Sequence, residues 1–397
     1  MSTRVLLDGN GAASEGLRLA RVKVISAYPI TPQSPISEKL ADFVAEGKLD
    51  AKYIRVESEH SAMSCAIGAQ LTGVRAGTAT SSVGLALMHE VLGVAAGCRV
   101  PIVMPVVNRS LVSPWSLWCD HQDSMAERDG GWMQLYAESA QEVLDLIFIA
   151  YRAAEDVRLQ LPTMVCLDGF FLSHMSDAVQ LPDQATVDSY LPPYQCHNFH
   201  LDPNNPMFIN NLVPSIEFTE MRYQQAAAFK EAPGVLAEAM ADFKKSFGRE
   251  YSLIEAYQCE DAEAVIVTLG SMSGTAKYVV DQLREQGKRV GVLKITSFRP
   301  FPAEQIKNAL ANVPAVGVMD RSAGFGAQVP PVATEIKAAL GSKRVQGFIA
   351  GLGGRDISPA TFTKAFEKLL HKEFTTELDW LDVKENALTI REVKAQC

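Results

Sequence analysis

The chain has 397 residues, of which 47% are apolar and 21% charged, and its formal net charge is −9. This length exceeds the size at which a single hydrophobic core usually keeps growing, so two domains are expected. The acidic balance, with no block of lysine or arginine, argues against nucleic acid and anionic membrane surfaces as partners. The sequence shows neither a secretory leader nor an apolar run long enough to cross a bilayer, which predicts a cytoplasmic protein.

The seven cysteines are dispersed, and no two of them lie within four residues of each other. Zinc ribbons and iron–sulfur ligand runs need closely spaced cysteines, so neither is expected in this chain. An odd, scattered set in a chain of this size is typical of reduced thiols that are buried as small apolar residues. Any redox metal is therefore expected in a partner chain.

In the first part of the chain, short apolar runs alternate with segments of helical periodicity. Apolar, β-branched composition predicts strands at 22–27, 53–57, 77–81, 101–107 and 162–167. Helical spacing predicts helices at 36–43, 61–71, 84–92 and 140–155. Strands and helices that alternate at this pace indicate the α/β class, with a parallel sheet covered by helices on both faces.

The composition changes after residue 167. Residues 182–214 are rich in Pro, Asn, Asp, Gln and Tyr, which predicts a segment that wraps over a surface. A helix is predicted over 215–247, followed by a smaller α/β unit with strands at 264–270, 290–295 and 315–319. We therefore predict domains at residues 1–240 and 255–397.

Three prolines in seven residues follow the first of these predicted strands, at Pro29, Pro32 and Pro35. They fix the backbone into a rigid turn between a strand and a helix, where α/β proteins place ligand-binding residues. The hydroxyls of Thr31 and Ser34 could hold a polar group of a small ligand there. The alternative is a rigid connection in which a hydroxyl caps the helix.

A second candidate lies at the start of the helix predicted over 61–71. There Glu57, Ser58 and Glu59 precede a run of small residues. A serine cap and acids in the first helical turn explain this pattern by local structure alone. The sharper hypothesis is that one glutamate is buried and contacts a heterocycle nitrogen, because the small residues let another group pack closely against the helix.

The loop after the strand predicted at 101–107 contains several candidate functional residues. Arg109 follows a buried strand directly, so it either forms a structural ion pair or binds a carboxylate with two hydrogen bonds. Trp115 and Trp118 are large aromatic residues on a loop, a position that often lines a pocket. His121, between Asp120 and Asp123, could bind a metal, but a local hydrogen bond is the commoner role and we predict no metal here.

Several of these motifs occur in a fixed order along nearly the whole chain, and together they resemble one family. The motifs are Ala27–Pro32, Val56–Met63, Ala79–Ser82, Gly84–Glu90, Asn108–Arg109, Asp120–His121, Met125–Asp129, Gly270–Lys277, Phe298–Pro302, Asp320–Arg321 and Gly351–Asp356. They resemble the α subunit of the 2-oxoacid:ferredoxin oxidoreductases, especially the pyruvate type. The resemblance implies a pyrimidine-binding domain of the thiamine-diphosphate enzymes followed by a smaller domain like the transketolase C-terminal domain.

The resemblance also implies an activity and partners. Such an enzyme oxidatively decarboxylates a 2-oxoacid with coenzyme A to an acyl-CoA, and its electrons reach ferredoxin through iron–sulfur clusters. The thiamine diphosphate would be shared with a β subunit that holds the diphosphate and Mg²⁺, while [4Fe-4S] clusters lie in partner subunits among the β, γ and δ types. The lack of cysteine motifs and of a Gly-Asp-Gly magnesium signature here fits an α subunit.

By motif position, the resemblance assigns roles to individual residues. Glu59 would contact the aminopyrimidine ring and help to activate the cofactor, with Pro29, Ile30 and Thr31 beside it. Thr31 and Arg109 would bind the 2-oxoacid, with Arg109 at its carboxylate.

The sequence departs from the pyruvate-type pattern after Pro114, where Trp115 opens the run Trp-Ser-Leu-Trp in place of Ile-Asn-Ile-Trp. Trp115 would therefore line the substrate pocket. The change leaves an aromatic substrate such as phenylglyoxylate open, with NAD as acceptor through a flavoprotein subunit. Two further hypotheses are a non-catalytic scaffold subunit and a stand-alone transketolase-like enzyme.

Overall fold

The computed structural model describes residues 3–197, 200–373 and 378–384. The strands of these residues, in chain order, are β1 (Thr3–Leu7), β2 (Val24–Ala27), β3 (Lys52–Arg55), β4 (Ala76–Gly77), β5 (Val103–Asn108), β6 (Met133–Tyr136), β7 (Thr163–Asp168), β8 (Asp177–Leu181), β9 (Ile254–Tyr257), β10 (Ala264–Leu269), β11 (Val290–Ile295), β12 (Ser297–Arg299), β13 (Ala315–Asp320), β14 (Val345–Ile349) and β15 (Leu378–Trp380).

The helices of the same residues are α1 (Gly9–Leu19), α2 (Ser34–Ala45), α3 (Glu59–Gln70), α4 (Ser82–Leu87), α5 (His89–Gly97), α6 (Gln122–Ala126), α7 (Ala140–Ala154), α8 (Gln184–Tyr190), α9 (Ser215–Phe247), α10 (Met272–Glu285), α11 (Ala303–Ala309), α12 (Pro331–Leu340) and α13 (Pro359–His371). None of them is long and apolar enough to cross a membrane.

The first sheet has seven strands in the order β12-β6-β7-β5-β4-β2-β3. All neighbouring pairs except β12 with β6 are parallel, which confirms the predicted α/β class. The central strand β5 shows why the sheet is buried on both faces. Val103 and Val107 join a core cluster with α1, α2 and α7, whereas Met104 and Val106 join a second cluster with α3 and α5.

The second sheet has six strands in the order β15-β14-β13-β10-β11-β9. Only the edge strand β9 is antiparallel, and it pairs with β11. Helices α10 and α13 contact each other and pack on β10, while α12 packs on β13 and β14. This arrangement agrees with the predicted second α/β unit.

The structure contains elements that the sequence pattern did not predict. β12 comes from the chain beyond residue 255 but pairs with β6 at the edge of the first sheet, so the predicted second domain contributes a strand to the first. β1 and β8 form a separate antiparallel pair. The single helix predicted over 84–92 is two helices that meet at Met88. The helix predicted over 215–247 has those bounds in the structure.

A buried carboxylate joins the carboxyl ends of strands from both sheets. Asp168 ends β7, and its Oδ1 lies 2.7 Å from the His121 Nε2. Its Oδ2 accepts from the Arg321 guanidinium at 2.7 Å, from the Ser271 backbone N–H at 3.1 Å and from the Ser271 hydroxyl. Ser271 follows β10 and Arg321 follows β13. Burial opposes ionisation of Asp168, but His121 and Arg321 outweigh it and hold the pKa of this carboxyl below its usual range.

Replacement of Asp168 by asparagine should destabilise the protein strongly. The Arg321 guanidinium would lose its buried carboxylate partner, which typically costs about 3–5 kcal/mol. The free energy of unfolding of the full chain in urea at pH 7 measures this loss. Because the folded pKa lies below the unfolded value of about 3.9, the carboxylate stabilises fully at neutral pH, and this contribution declines as the pH falls below about 4.

Asp188→Asn is the matched control for this experiment. Asp188 pairs with Arg21 on the surface, and both side chains are substantially exposed. Loss of an exposed pair should cost no more than about 1 kcal/mol. Equal losses in the two variants would show that the Asp168 junction contributes no more than a surface pair.

Candidate functional site

Glu59 is the first residue of α3, and the structure buries it. The Ser58 hydroxyl caps the helix by accepting a hydrogen bond from the Ser61 backbone N–H at 3.2 Å, so part of the capping interpretation is correct. The cap leaves the Glu59 side chain to turn inward, where it is only 7% exposed. It lies against α4, since a Cβ on Gly84 would stand 2.6 Å from the Glu59 Oε1.

The carboxylate of Glu59 has no protein partner among the described residues, neither a hydrogen-bond donor nor a cation. The Thr80 hydroxyl, buried beside it, also has no hydrogen-bond partner there, and a Cβ on Gly84 would stand 2.6 Å from it. A buried charge without a partner costs several kcal/mol unless something else satisfies it. Gly84 lets the Glu59 carboxylate and the Thr80 hydroxyl lie directly against α4, where these two groups fill the place that a Cβ would take. The carboxylate without a partner makes this place a candidate ligand site.

Arg109 follows β5 and points toward the turn that contains Thr31. Its Nη1 donates to the Thr31 carbonyl at 2.8 Å and its Nε donates to the Ser116 carbonyl at 3.1 Å. The guanidinium forms no ion pair with any described carboxylate. The described residues therefore do not support the alternative of a structural ion pair. Burial lowers the pKa of Arg109, and the Asp123 charge partly offsets this. A guanidinium fixed by two carbonyls and free of carboxylates is available to an anionic ligand.

Asp123 holds the backbone around Arg109, a role that the sequence pattern did not reveal. Its carboxylate accepts from the backbone N–H groups of Arg109 at 3.0 Å and Ser82 at 2.9 Å, and from the Asn108 side chain at 2.8 Å. Burial raises the pKa of Asp123 to about 6, although these donors favour the ionised form. The sequence does show an acid in the loop after Arg109. Because this acid stands near His121, however, the sequence suggests only a metal ligand and not a role in holding the backbone.

The turn that carries Pro29, Ile30 and Thr31 lies at the surface of the chain. Pro29 and Thr31 are exposed and Ile30 is half-buried. The Thr31 carbonyl contacts Arg109, whereas the Thr31 hydroxyl makes no hydrogen bond to the described residues. The structure therefore brings Thr31 and Arg109 together through the Thr31 carbonyl.

Trp115 is 78% exposed, and its ring makes no aromatic contact with the described residues. Trp118 is the tryptophan that packs, with its ring centroid 6.2 Å from that of Phe170. Between them lies Ser116, whose carbonyl holds Arg109. The loop thus reaches the guanidinium through its backbone, and the predicted pocket-lining role of Trp115 stays a prediction.

The His121 ring pairs with Asp168, and not with Asp120 or Asp123 as the local hydrogen bond expected from the sequence would require. Ligand atoms of Cys119, His121 and Asp168 lie within 4.8 Å of one another. The Arg321 guanidinium occupies this cluster, at 2.7 Å from Asp168 and 3.9 Å from the Cys119 Sγ. A fixed positive charge at this place opposes a cation, so the cluster has the chemistry of a structural junction.

Two family models together match most of the chain. Residues 15–241 match the family model "Pyruvate flavodoxin/ferredoxin oxidoreductase, thiamine diP-bdg". Residues 262–362 match the model "Pyruvate:ferredoxin oxidoreductase core domain II".

Relatives of similar length match almost end to end. The pyruvate synthase subunit PorA of Methanothermobacter thermautotrophicus is 48% identical over 96% of this chain and 99% of its own. PorA of Thermotoga maritima is 45% identical over 93% of this chain and 95% of its own. The ketoisovalerate oxidoreductase subunit VorA of Pyrococcus horikoshii is 44% identical over 96% of this chain and 98% of its own.

Solved structures agree on the fold. A 2-oxoglutarate:ferredoxin oxidoreductase from Magnetococcus marinus, with 2-oxoglutarate, coenzyme A and succinyl-CoA bound, superposes with a TM-score of 0.74. That match has 19% sequence identity and covers 92% of this chain and 65% of the other. A split-gene transketolase, an inactive β4 tetramer, superposes with a TM-score of 0.56 at 11% identity, over 92% of this chain and 98% of the other.

The fold and the family matches define a subunit of the thiamine-diphosphate-dependent oxidoreductases. The chain belongs to the 2-oxoacid:ferredoxin oxidoreductase family, as an α-type subunit of a CoA-acylating, multi-subunit enzyme. The resemblance stated from the sequence motifs is thus confirmed. The hypotheses of an aromatic substrate, a scaffold subunit and a stand-alone transketolase-like enzyme are not favoured by these relatives.

Proposed function

We propose that this chain supplies the pyrimidine half of a thiamine diphosphate site in a pyruvate:ferredoxin oxidoreductase, and that a β subunit completes the site. The observation that carries the proposal is the buried Glu59 carboxylate, which has no partner among the described residues. A donor on a bound heterocycle would satisfy this charge. The unsatisfied Thr80 hydroxyl beside this carboxylate supports the fit, and Gly84 lets both groups lie directly against α4.

Glu59 would hold and exchange a proton at the pyrimidine nitrogen of the cofactor, as a positioned carboxylate can. Pro29, Ile30 and Thr31 would border the cofactor on the neighbouring turn. Thiamine diphosphate, when bound, supplies the electron sink that accepts the charge released as the 2-oxoacid loses CO₂. The low exposure of Glu59 keeps bulk water from competing for its proton.

Arg109 would bind the carboxylate of the 2-oxoacid, assisted by the Thr31 hydroxyl. The guanidinium already points toward Thr31 and has no carboxylate partner among the described residues. Two carbonyls fix its orientation before the substrate arrives, which reduces the ordering required on binding. The oriented guanidinium thus suits a small anionic substrate.

The remaining groups of the reaction are assigned to partner subunits. A β subunit would hold the diphosphate and Mg²⁺, and the [4Fe-4S] clusters would lie in partners of the β, γ and δ types, with ferredoxin as acceptor. The dispersed cysteines and the missing Gly-Asp-Gly signature of this chain support that division. We expect the assembled enzyme in the cytoplasm.

Glu59→Gln should lower turnover in the assembled complex by a factor on the order of 10² to 10⁴, since it removes a positioned proton-transfer group. The same change replaces an unpaired buried charge by a neutral group, so the chain itself should become no less stable. Steady-state turnover with coenzyme A, together with thermal unfolding, measures both effects.

Glu57→Gln is the matched control, because Glu57 is exposed and, among the residues that the structure describes, accepts a hydrogen bond only from the Ser61 hydroxyl. It should retain turnover close to that of the unmodified complex. If Glu59→Gln retains turnover and Glu57→Gln loses it, the proton-transfer role belongs to Glu57.

The isolated full chain should bind thiamine diphosphate weakly or not at all, whereas the complex with its β subunit should bind it tightly. The reason is that this chain offers a pyrimidine contact but no diphosphate-binding signature. Calorimetric titration of the cofactor in the presence of Mg²⁺ measures both affinities. Equal, tight binding by the single chain would contradict a site shared between subunits.

Pyruvate is the substrate that we favour, because six of the relatives are pyruvate synthase subunits that are 44–48% identical over most of this chain. The 44% identity of the ketoisovalerate subunit keeps a branched 2-oxoacid as the second candidate. Trp115 bears on this choice, since a bulky ring in the pocket would select small acids.

Trp115→Ile should therefore widen the substrate range toward larger 2-oxoacids while the complex still turns over pyruvate. We expect kcat/KM for ketoisovalerate to rise relative to pyruvate by about 2- to 10-fold, the size of one modest packing interaction. A panel of pyruvate, ketoisovalerate and phenylglyoxylate with coenzyme A measures the ratios. A wild-type preference for phenylglyoxylate that Trp115→Ile abolishes would reverse this assignment and support an aromatic substrate.

A further inference from the structure

We infer that the turn after β14, residues 351–354, positions the substrate-binding guanidinium of Arg109. The inference rests on the role of Arg109 proposed above. Residues 110–121, here called the substrate loop, connect Arg109 to the second sheet. The turn itself lies at the carboxyl end of a strand in that sheet, outside the site formed by Glu59, Thr31 and Arg109.

Three hydrogen bonds fasten the far end of the substrate loop to the second sheet. The Gly354 N–H donates to the Cys119 carbonyl at 2.7 Å, and the Gly353 N–H donates to the Asp120 carboxylate at 3.2 Å. The His121 N–H donates to the Arg321 carbonyl at 2.8 Å. Cys119, Asp120 and His121 are all buried, so this end of the loop is held in a defined place.

The near end of the loop connects this fixed segment to the guanidinium of Arg109. The backbone N–H and the hydroxyl of Ser110 both donate to the Trp118 carbonyl, at 3.0 and 2.9 Å, which closes the loop on itself. Ser116, inside the closed segment, accepts the hydrogen bond from the Arg109 Nε. A shift of Trp118 would therefore move one of the two carbonyls that orient the guanidinium.

Gly354 is the position where turn and loop meet most closely. Its φ is +74°, and a Cβ built there would lie 2.3 Å from the Trp118 Cβ. No non-bonded pair of carbon atoms tolerates this distance, so the backbone of Trp118 or the turn must move. The approach at Gly353 is less close, because a Cβ built there would lie 3.4 Å from the Ser116 Oγ. The glycines thus allow the turn to approach the substrate loop to contact distance.

The inference predicts that Gly354→Ala raises the KM for pyruvate in the assembled complex by about 10-fold or more, because small misplacements of a binding group are costly. The KM for coenzyme A should stay unchanged. Hydrogen exchange of residues 110–121, measured by mass spectrometry, should become faster, and this readout does not depend on turnover.

Gly248→Ala is the matched control. Gly248 has a φ of +76°, so alanine meets the same backbone strain, but no atom of the described part of the chain lies within 4 Å of its Cβ position. Gly248→Ala should leave the KM for pyruvate and the exchange of the substrate loop unchanged. If Gly354→Ala and Gly248→Ala behave alike, the inference is overturned.

Relief of the contact provides a second test. In the double variant Gly354→Ala/Trp118→Gly, the Cβ that alanine meets is absent, so the KM for pyruvate should return toward that of Trp118→Gly alone. If Gly354→Ala does not assemble, Asp120→Ala replaces it, because it removes the acceptor of the Gly353 N–H, and the KM for pyruvate should rise in the same direction. No rise in the variant that assembles would overturn the inference.

Arg109→Lys, measured in parallel, separates this inference from the proposed function. Lysine keeps the charge but loses the planar, two-pronged geometry, so the KM for pyruvate should rise. If Arg109→Lys raises the KM and Gly354→Ala does not, only the positioning role of the turn fails. If Arg109→Lys leaves the KM unchanged, the substrate-binding role of Arg109 fails, and the positioning inference fails with it.

Discussion

The buried carboxylate of Asp168 is the interaction on which the arrangement of the two sheets depends. It ends a strand of the first sheet and accepts hydrogen bonds from residues that follow two strands of the second. Parallel strands direct their carboxyl ends to one side of a sheet, so loops that follow the strands of two parallel sheets meet where these carboxyl ends face each other. An anion placed among a histidine, an arginine and a serine then fixes the contact, because each buried donor needs it.

The candidate site lies one loop away from this junction. The loop that carries His121 to Asp168 also carries the carbonyl that orients Arg109, so the position of the guanidinium depends on both sheets. Glu59 is the first residue of α3, which packs against β2 and β4 of the first sheet. The two residues differ in kind: Arg109 is fixed by hydrogen bonds within the chain, whereas Glu59 is buried without a partner among the described residues. Such an uncompensated charge lowers stability, and proteins retain it where function requires it.

Much of the fold could be predicted from the sequence because local patterns encoded it. Strands β5, β7, β10 and β11 are apolar runs that are buried on both faces, and such runs are visible without tertiary information. Helix α9 follows a proline and ends at a glycine in the left-handed region. Some strands that the pattern did not predict are short or lie at sheet edges: β12, for example, has three residues and owes its existence to pairing with β6. β14 was also not predicted, although it has five residues and lies inside the second sheet.

The candidate site could likewise be predicted only in part from the sequence. Glu59, Thr31 and Arg109 were identifiable because each stands at the end of a strand or the start of a helix, and the order of their motifs indicated the family. Their sequence neighbours did not reveal their partners. His121 bonds to a residue 47 positions away, and Cys119 meets a turn more than 200 residues distant. Sequence by itself determined the family and the candidate residues for its chemistry, because residue type and spacing are local properties. Only the tertiary structure decided which groups are buried, paired or left unpaired, because those properties depend on contacts between distant segments of the chain.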